Sequence, residues 1–197
     1  MKKVDLIIFD LRKIYIHDYI DSDLLTIKDL EAIDRCADPK AKQQKIISTF
    51  LKRKHIGDFS ISEQGKPLSD KCYFNISHSG HFVLLAISKD APVGVDIEKV
   101  KPFKPELKEF ISSKEELDAI KTDIDFFKVW TSKEALSKCV GTGLATKVKE
   151  IPALPFDGAK TYWCASYYSK QILIGEYVIS VALKTDKDFE INQIFEN

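Results

Sequence analysis

The stretch Gly94-Val95-Asp96-Ile97-Glu98-Lys99 alternates apolar and polar side chains, which is typical of an extended strand with one buried face. Successive side chains of a strand point to opposite faces, so the apolar residues can enter a core while Gly94, Asp96 and Glu98 share the other face. The glycine is expected to leave room beside the two carboxylates. Because neighbouring carboxylates repel each other, we expect this face to bind a divalent cation.

A second segment adds a third carboxylate. The stretch Trp130-Thr131-Ser132-Lys133-Glu134-Ala135-Leu136-Ser137-Lys138 is typical of a helix, on which Glu134 and Lys138 share one face and Lys133 lies next to it. Taken alone, Glu134 and Lys138 are better explained as a surface ion pair. Beside the carboxylates of the strand, Glu134 is a candidate third ligand, and ligands that are all oxygen favour Mg²⁺ over zinc. Magnesium held by a few carboxylates usually also binds substrate phosphate, so the set indicates phosphoryl chemistry.

The composition limits the class of protein. The chain has 197 residues, 44% of them hydrophobic, and its 30 basic residues balance 30 acidic ones. This suits one large domain or two small halves, and it gives no overall field toward nucleic acid or an anionic membrane. The basic run Lys52-Arg53-Lys54-His55 is typical of a helix C-terminus. No apolar run reaches the roughly 20 residues of a membrane span. The first apolar run is too short for a signal peptide, so we expect a cytoplasmic protein.

The order of predicted elements indicates an α+β fold. We predict helices near 21–36, 39–55 and 125–140, a capping box at Ser113-x-x-Glu116, and strands near 3–9, 14–20, 58–62, 73–77, 82–88, 92–98, 161–168, 171–175 and 176–184. Each half of the chain has a long helix followed by antiparallel strands. We therefore predict a pseudo-dimer of two similar halves, 1–91 and 92–197, each a helix packed on a small antiparallel sheet. The active site is expected at their interface.

Polar groups suited to phosphate follow a predicted strand at Phe74-Asn75-Ile76-Ser77-His78-Ser79-Gly80-His81. A hydroxyl and an imidazolium both hydrogen-bond to phosphate oxygens, so Ser77 and His78 are candidate phosphate donors. The pair His78-x-x-His81 lacks a third soft ligand at useful spacing, which disfavours zinc. Upstream, Gly65-Lys66-Pro67 places a lysine on a turn, which by itself is a common surface feature.

Four motifs taken together resemble the 4′-phosphopantetheinyl transferases, of the larger single-chain type that activates peptide and polyketide synthases. They are Gly-Lys-Pro at 65–67, Phe-Asn-Ile-Ser-His-Ser-Gly at 74–80, Gly-Val-Asp-Ile-Glu at 94–98 and Trp-Thr-Ser-Lys-Glu-Ala-x-x-Lys at 130–138. The resemblance implies an enzyme that binds coenzyme A between two α+β halves. It would move the phosphopantetheine arm to a serine of an apo carrier protein and release adenosine 3′,5′-bisphosphate. The alternative is a non-catalytic module of the same fold that binds CoA or carrier protein.

The resemblance also implies roles for individual residues. The predicted magnesium ligands are Asp96, Glu98 and Glu134. The predicted contacts to coenzyme A are Lys66, Ser77, His78, Lys133 and Lys138. The predicted catalytic residues are Glu115, Glu134 and Lys138, with Glu115 as the candidate base. A glutamate in the first turn of a helix is also favoured by the helix dipole, which is the alternative explanation of Glu115.

Two further expectations concern partners. Members of the family carry arginines in the first-half helix, whereas this chain has Lys40-Ala41-Lys42-Gln43-Gln44-Lys45, and lysine supplies charge without bidentate geometry. Phe103, Leu107 and Phe110, which follow the carboxylate strand, are predicted to dock a helix of an acyl or peptidyl carrier protein. Because two fused halves would complete the site within one chain, we expect a monomer without nucleic-acid or membrane partners.

Overall fold

Helices and strands are interspersed along the chain. The computed structural model describes residues 1–63, 65–143 and 148–196. The helices are His17–Ile20 (α1), Ile27–Asp34 (α2), Pro39–His55 (α3), Pro105–Ile111 (α4), Lys114–Ala119 (α5) and Asp123–Val140 (α6). The strands are Lys2–Asp10 (β1), Ser60–Ile61 (β2), Pro67–Leu68 (β3), Tyr73–Ser79 (β4), Phe82–Ser88 (β5), Val93–Lys99 (β6), Gly158–Tyr162 (β7), Ala165–Ile174 (β8), Tyr177–Leu183 (β9) and Phe189–Glu196 (β10). The predicted α+β class is confirmed.

Most strands belong to two four-stranded sheets. Their orders are β10-β1-β5-β4 and β6-β9-β8-β7. Neighbouring strands are antiparallel apart from β1 and β10, which pair in parallel. Strand β10 therefore completes the sheet that the first part of the chain begins, although it comes from the far end of the sequence. The division into two similar halves at 91 and 92, and with it the pseudo-dimer, stays a prediction.

The two sheets pack face to face, with helices on their outer faces. One core cluster contains side chains of both sheets, among them Leu6 and Leu84 of the first and Val95 and Val181 of the second. The outer face of the first sheet packs against α3. The outer face of the second sheet packs against α6. No helix in the described parts of the chain is long and apolar enough to cross a membrane.

The N-terminal region differs from the sequence-based expectation. The predicted strand at 14–20 is wrong, because His17–Ile20 forms a helical turn whose partly buried side chains pack on the cluster beneath α3. The helix expected over 21–36 begins only at Ile27, because Thr26 and Asp29 form a reciprocal capping box there. Strand β10 was not predicted. Its pairing with β1 joins residues about 187 positions apart, such as Lys2 and Phe189, and such a distant pairing leaves no local signal.

Candidate active site

Helix α6 lies directly against strand β6 at Gly94. The helix begins after Thr122, whose side chain forms a reciprocal capping box, and ends at Gly141, which has a φ of 92° that favours glycine. A Cβ atom on Gly94 would collide with backbone atoms of Ala135 and Cys139 in α6. Gly94 therefore permits close approach of the helix, rather than leaving space for an ion as the sequence suggested.

The predicted alternation of strand β6 is confirmed. Val95 and Ile97 belong to the core between the sheets and are almost fully buried. Asp96 points to the opposite face, where it meets Lys138 of α6. The helix and the strand thus bring together two of the charged groups that the sequence analysis singled out, 42 positions apart in the chain.

Strand β6 is held to β4 by side chains rather than by a backbone ladder. Both strands are sheet edges, so the outward N–H groups of β6 need other acceptors. Three side chains of β4 supply them: Asn75 accepts from Val95 at 3.0 Å, Ser77 from Ile97 at 3.4 Å, and Ser79 from Lys99 at 3.1 Å. This side-chain ladder connects the two sheets beside the carboxylates.

Asp96 is the most buried carboxylate of the group, with only 4% of the residue exposed. Its Oδ1 atom accepts hydrogen bonds from Lys138 Nζ at 2.6 Å and from the Ser77 hydroxyl at 2.9 Å. Its Oδ2 atom is buried without a hydrogen-bond partner. Burial raises the pKa of Asp96, while the Lys138 charge and the two hydrogen bonds oppose the rise. A second cation near Oδ2 would therefore satisfy an oxygen that now has none.

Glu98 and Glu134 complete the acidic group. Glu98 is half-buried, and its Oε2 atom accepts a hydrogen bond from the Ser79 hydroxyl at 2.8 Å. Burial, and then the charges of Asp96 and Glu98, raise the pKa of Glu134 to about 7, although Lys138 opposes the rise. For their charges to act on Glu134, Asp96 and Glu98 must lie within electrostatic range of it. The structure thus gathers the three predicted magnesium ligands into one region.

Two predicted phosphate contacts lie beside this region. The Ser77 hydroxyl joins β4 to β6 by donating to Asp96. The same hydroxyl accepts from Lys138 Nζ of α6 at 3.2 Å. His78 is exposed to solvent, and partial desolvation followed by the Lys138 charge lowers its pKa, which Glu98 opposes. A phosphate near the Ser77 hydroxyl would therefore have Lys138 within reach.

Lys66 lies at the C-terminal end of α6. Its Nζ atom donates to the carbonyl oxygens of Lys138 and Cys139, at 2.9 and 3.1 Å. These carbonyls belong to the last turn of the helix, where a cation complements the helix dipole. Lys66 also lines a cavity of about 210 Å³ between the β2–β3 hairpin and α6. Its predicted contact with coenzyme A stays a prediction.

Among the described residues, Lys133 forms none of its contacts with Asp96, Glu98 or Glu134. It is fully buried, forms an ion pair with Glu116 at 2.8 Å, and donates to the carbonyl oxygens of Val148 and Ile151. Glu116 in turn accepts from the backbone N–H of Ala153. This network connects α6 and α5 to residues 148–153. Because Lys133 is buried within it, the expectation that Lys133 is available for coenzyme A is corrected.

Glu115 is an exposed residue of the first turn of α5. Its Oε2 atom accepts from the hydroxyl of the capping residue Ser113 at 3.0 Å. None of the hydrogen bonds or ion pairs found among the described residues joins it to Asp96, Glu98 or Glu134. Its role as a base stays a prediction.

Two residues make contacts near the site that were not predicted from the sequence. Ser79 donates a hydrogen bond to Glu98. The sequence signal for it was the pair of hydroxyls at Ser77 and Ser79, which lie two residues apart and so face the same side of the strand. Glu116 was predicted as part of a capping box, and it does cap α5. Its second role as the partner of Lys133 depends on tertiary packing, which a local motif cannot indicate.

The donor set suits a hard cation such as Mg²⁺. The candidate ligands are carboxylate oxygens, and the Oδ2 atom of Asp96 is buried and unpaired. The charges of Asp96 and Glu98 raise the pKa of Glu134. Over the described ranges, however, no three His, Cys, Asp or Glu side chains converge closely enough to hold a metal ion. Lys138 engages one oxygen of Asp96 and Ser79 engages one of Glu98, so the side chains are now held by protein partners.

Comparison with known proteins shows what this region is similar to. Residues 92–182 match the model of the 4′-phosphopantetheinyl transferase superfamily. The 4′-phosphopantetheinyl transferase Sfp of Bacillus subtilis is 42% identical over 97 residues, which are 44% of this chain and 42% of that protein. The transferase psf-1 of Bacillus pumilus is 36% identical over 113 residues, 52% of this chain and 48% of that protein. The protein slr0495 of Synechocystis sp. is 28% identical over 166 residues, 71% of this chain and 65% of that protein.

These similarities agree with the four motifs in the sequence. The chain spans less than half of the length of the two Bacillus relatives. The matched segment nevertheless contains β6 and α6, the two elements that meet at Gly94. Residues 92–182, which carry the three carboxylates and Lys138, are therefore similar to the 4′-phosphopantetheinyl transferase superfamily.

Proposed function

We propose that this chain is a Mg²⁺-dependent 4′-phosphopantetheinyl transferase of the holo-acyl carrier protein synthase type. In the proposed reaction, a serine oxygen of an apo carrier protein attacks the phosphorus that bears the pantetheine arm of coenzyme A. The bond from that phosphorus to adenosine 3′,5′-bisphosphate breaks, and the serine proton is released. The observation that supports the proposal is the ion pair between buried Asp96 and half-buried Lys138, next to two more carboxylates, in the segment that matches the family model.

Asp96, Glu98 and Glu134 are the residues that we propose to hold Mg²⁺. The unpaired Oδ2 atom of Asp96 supplies a buried oxygen that no described protein group occupies. Magnesium bound there would polarise the reacting phosphorus and neutralise charge on the leaving bisphosphate. The buried position also strengthens electrostatic interactions, since the effective dielectric constant is lower there than in water.

Lys138 would contribute positive charge to the phosphates. Its ammonium group has three N–H donors, and the contacts with Asp96 and Ser77 use two of them. The third can be directed at a phosphate oxygen that lies above Ser77. A fixed cation of this kind stabilises charge that develops on the transferring group.

An apolar groove next to Glu98 is the proposed docking site for the carrier protein. A cavity of about 330 Å³ is lined by Glu98, Leu107 and Trp130 among others, so it opens beside the carboxylates. Leu107 and Phe110 are 44% and 68% exposed. Phe103, by contrast, stacks on Phe126 with ring centroids 4.0 Å apart, which gives it a packing role.

The docking site is tested by replacing Leu107, which lines the groove, and Phe110, which is exposed on the same helix α4. Leu107→Asp and Phe110→Asp are expected to raise the KM for carrier protein and to leave the KM for coenzyme A unchanged. Leu173→Asp is the matched control, because Leu173 is similarly exposed (55%) but lies on β8. An unchanged KM for carrier protein in both α4 variants would remove the docking site.

The transferase activity is tested by intact-mass spectrometry. Several apo carrier proteins are incubated with this protein, coenzyme A and Mg²⁺, and we expect a gain of one phosphopantetheine group per carrier together with equimolar adenosine 3′,5′-bisphosphate. Binding of CoA or carrier without any mass gain would instead favour the non-catalytic module. The monomeric state, the cytoplasmic location and the lack of nucleic-acid or membrane partners stay predictions.

A further inference from the structure

The hydroxyl of Ser79 has two partners on strand β6. It donates to the Oε2 atom of Glu98 at 2.8 Å and accepts from the backbone N–H of Lys99 at 3.1 Å. A serine hydroxyl has a single proton to donate, so its orientation is defined by the carboxylate. The N–H of Lys99 fixes the position of the oxygen from the other side.

The same arrangement recurs along the strand. Ser77 donates to Asp96 at 2.9 Å and accepts from the backbone N–H of the next residue, Ile97, at 3.4 Å. In both cases the hydroxyl and its carboxylate are 19 positions apart. At the next position of this register, Asn75 accepts from a backbone N–H, and the residue opposite it is Gly94, which has no carboxylate. The strand β4 thus provides one hydroxyl for each carboxylate of β6.

The two carboxylates depend on these hydroxyls to different degrees. Asp96 is also bound by Lys138, so loss of the Ser77 hydroxyl would leave an ion pair in place. Glu98 is half-buried, and in the described part of the chain Ser79 supplies the only hydrogen bond to its carboxylate. A glutamate side chain released from such a contact regains rotamer freedom that metal binding must then remove.

We propose that Ser79 is a positioning residue that orients Glu98 toward Asp96 and Glu134. The inference rests on the proposed function, since it assigns Ser79 a role in holding a ligand of the proposed magnesium site. Groups that hydrogen-bond to metal ligands typically change metal affinity about 10- to 100-fold when they are removed. Ser79 itself touches neither the metal nor the substrate.

The test measures Mn²⁺ binding to the full-length protein by electron paramagnetic resonance, without coenzyme A. Ser79→Ala is expected to weaken Mn²⁺ binding about tenfold, while Ser79→Thr retains the hydroxyl and restores most of the affinity. Ser79→Cys, which preserves volume but donates weakly, gives a second measurement if the alanine variant folds poorly. Asn75→Ala is the matched control, because it removes one rung of the same ladder without touching a carboxylate, and its Mn²⁺ affinity should match the wild type.

Three results would overturn the proposal in distinguishable ways. Wild-type affinity in folded Ser79→Ala and Ser79→Cys would show that the hydroxyl does not position Glu98. An equal loss in Asn75→Ala would show that the ladder acts on β6 as a whole. Absence of both Mn²⁺ binding and transferase activity in the wild-type protein would overturn the proposed function and the role of Ser79 together.

Discussion

Lys160 offers a quantitative test of the packing beneath α6. Only 6% of the residue is exposed, and its Nζ atom donates to Ser132 Oγ at 2.7 Å and to the carbonyl oxygen of Ala153 at 2.5 Å. Burial, and then the Lys133 charge, lower the pKa of Lys160 from 10.5 to about 7, against the attraction of Glu116 and Asp157. Between these two pH values, the unfolded chain binds a proton that the folded protein lacks.

The sign and size of the effect follow from this difference. Stability rises with pH wherever the unfolded state binds more protons, by about 1.4 kcal/mol per pH unit for one group. Lys160 therefore destabilises the fold fully below pH 7, and the penalty shrinks as pH rises toward 10.5. Between pH 7 and 9 the wild-type protein should gain about 3 kcal/mol relative to a variant that lacks this amine.

The assay is urea denaturation of the wild type and Lys160→Met at several pH values. Ser132 donates to the carbonyl oxygen of Ala153 at 3.0 Å, so loss of the Lys160 amine leaves both of its partners hydrogen-bonded. We expect the variant's advantage in the free energy of unfolding to decline steadily from pH 7 to 9. Lys187→Met, at an exposed turn, is the control whose difference should stay constant. A constant difference for Lys160→Met as well would refute the account of Lys160 as a buried amine.

Three further predictions concern the neighbourhood of the site. Gly94→Ala should push α6 away from β6 and lower the free energy of unfolding by about 1–3 kcal/mol, measured by thermal or urea denaturation; wild-type stability would contradict the close contact. Glu116→Gln should leave Lys133 buried without its counter-charge and cost about 3–5 kcal/mol, and a loss below about 1 kcal/mol would mean that the pair is not buried as described. Lys138→Met should lower the kcat of phosphopantetheine transfer about 10²- to 10³-fold, and an unaltered kcat would exclude Lys138 from stabilising the phosphates.

Local patterns predicted the elements that carry the site. The alternation of β6 placed its apolar residues in the core and Asp96 on the opposite face, and the structure agrees. The helix predicted near 125–140 is also present, and it ends before Gly141, but its start after the Thr122 cap was not predicted. Glu134 and Lys138 then share a face because helical spacing requires it.

Tertiary contacts decided what the local patterns missed. Lys133 is adjacent to Glu134 in sequence, but about 100° of helical rotation turns it toward Glu116 and away from the carboxylates. Gly94 was expected to make space for an ion, whereas the space is filled by the backbone of α6. In each case the partner lies in another element, so the pattern around the residue carried no information about it.

The most direct test of the central claim compares phosphopantetheine transfer by the wild-type protein and by Asp96→Ala. Both proteins are incubated with coenzyme A, an apo carrier protein and a range of Mg²⁺ concentrations, and the intact mass of the carrier is followed over time. The account predicts transfer by the wild type that depends on Mg²⁺, and almost none by Asp96→Ala although the variant is folded. Undiminished transfer by Asp96→Ala, or no transfer by the wild type to any of several carriers, would contradict it.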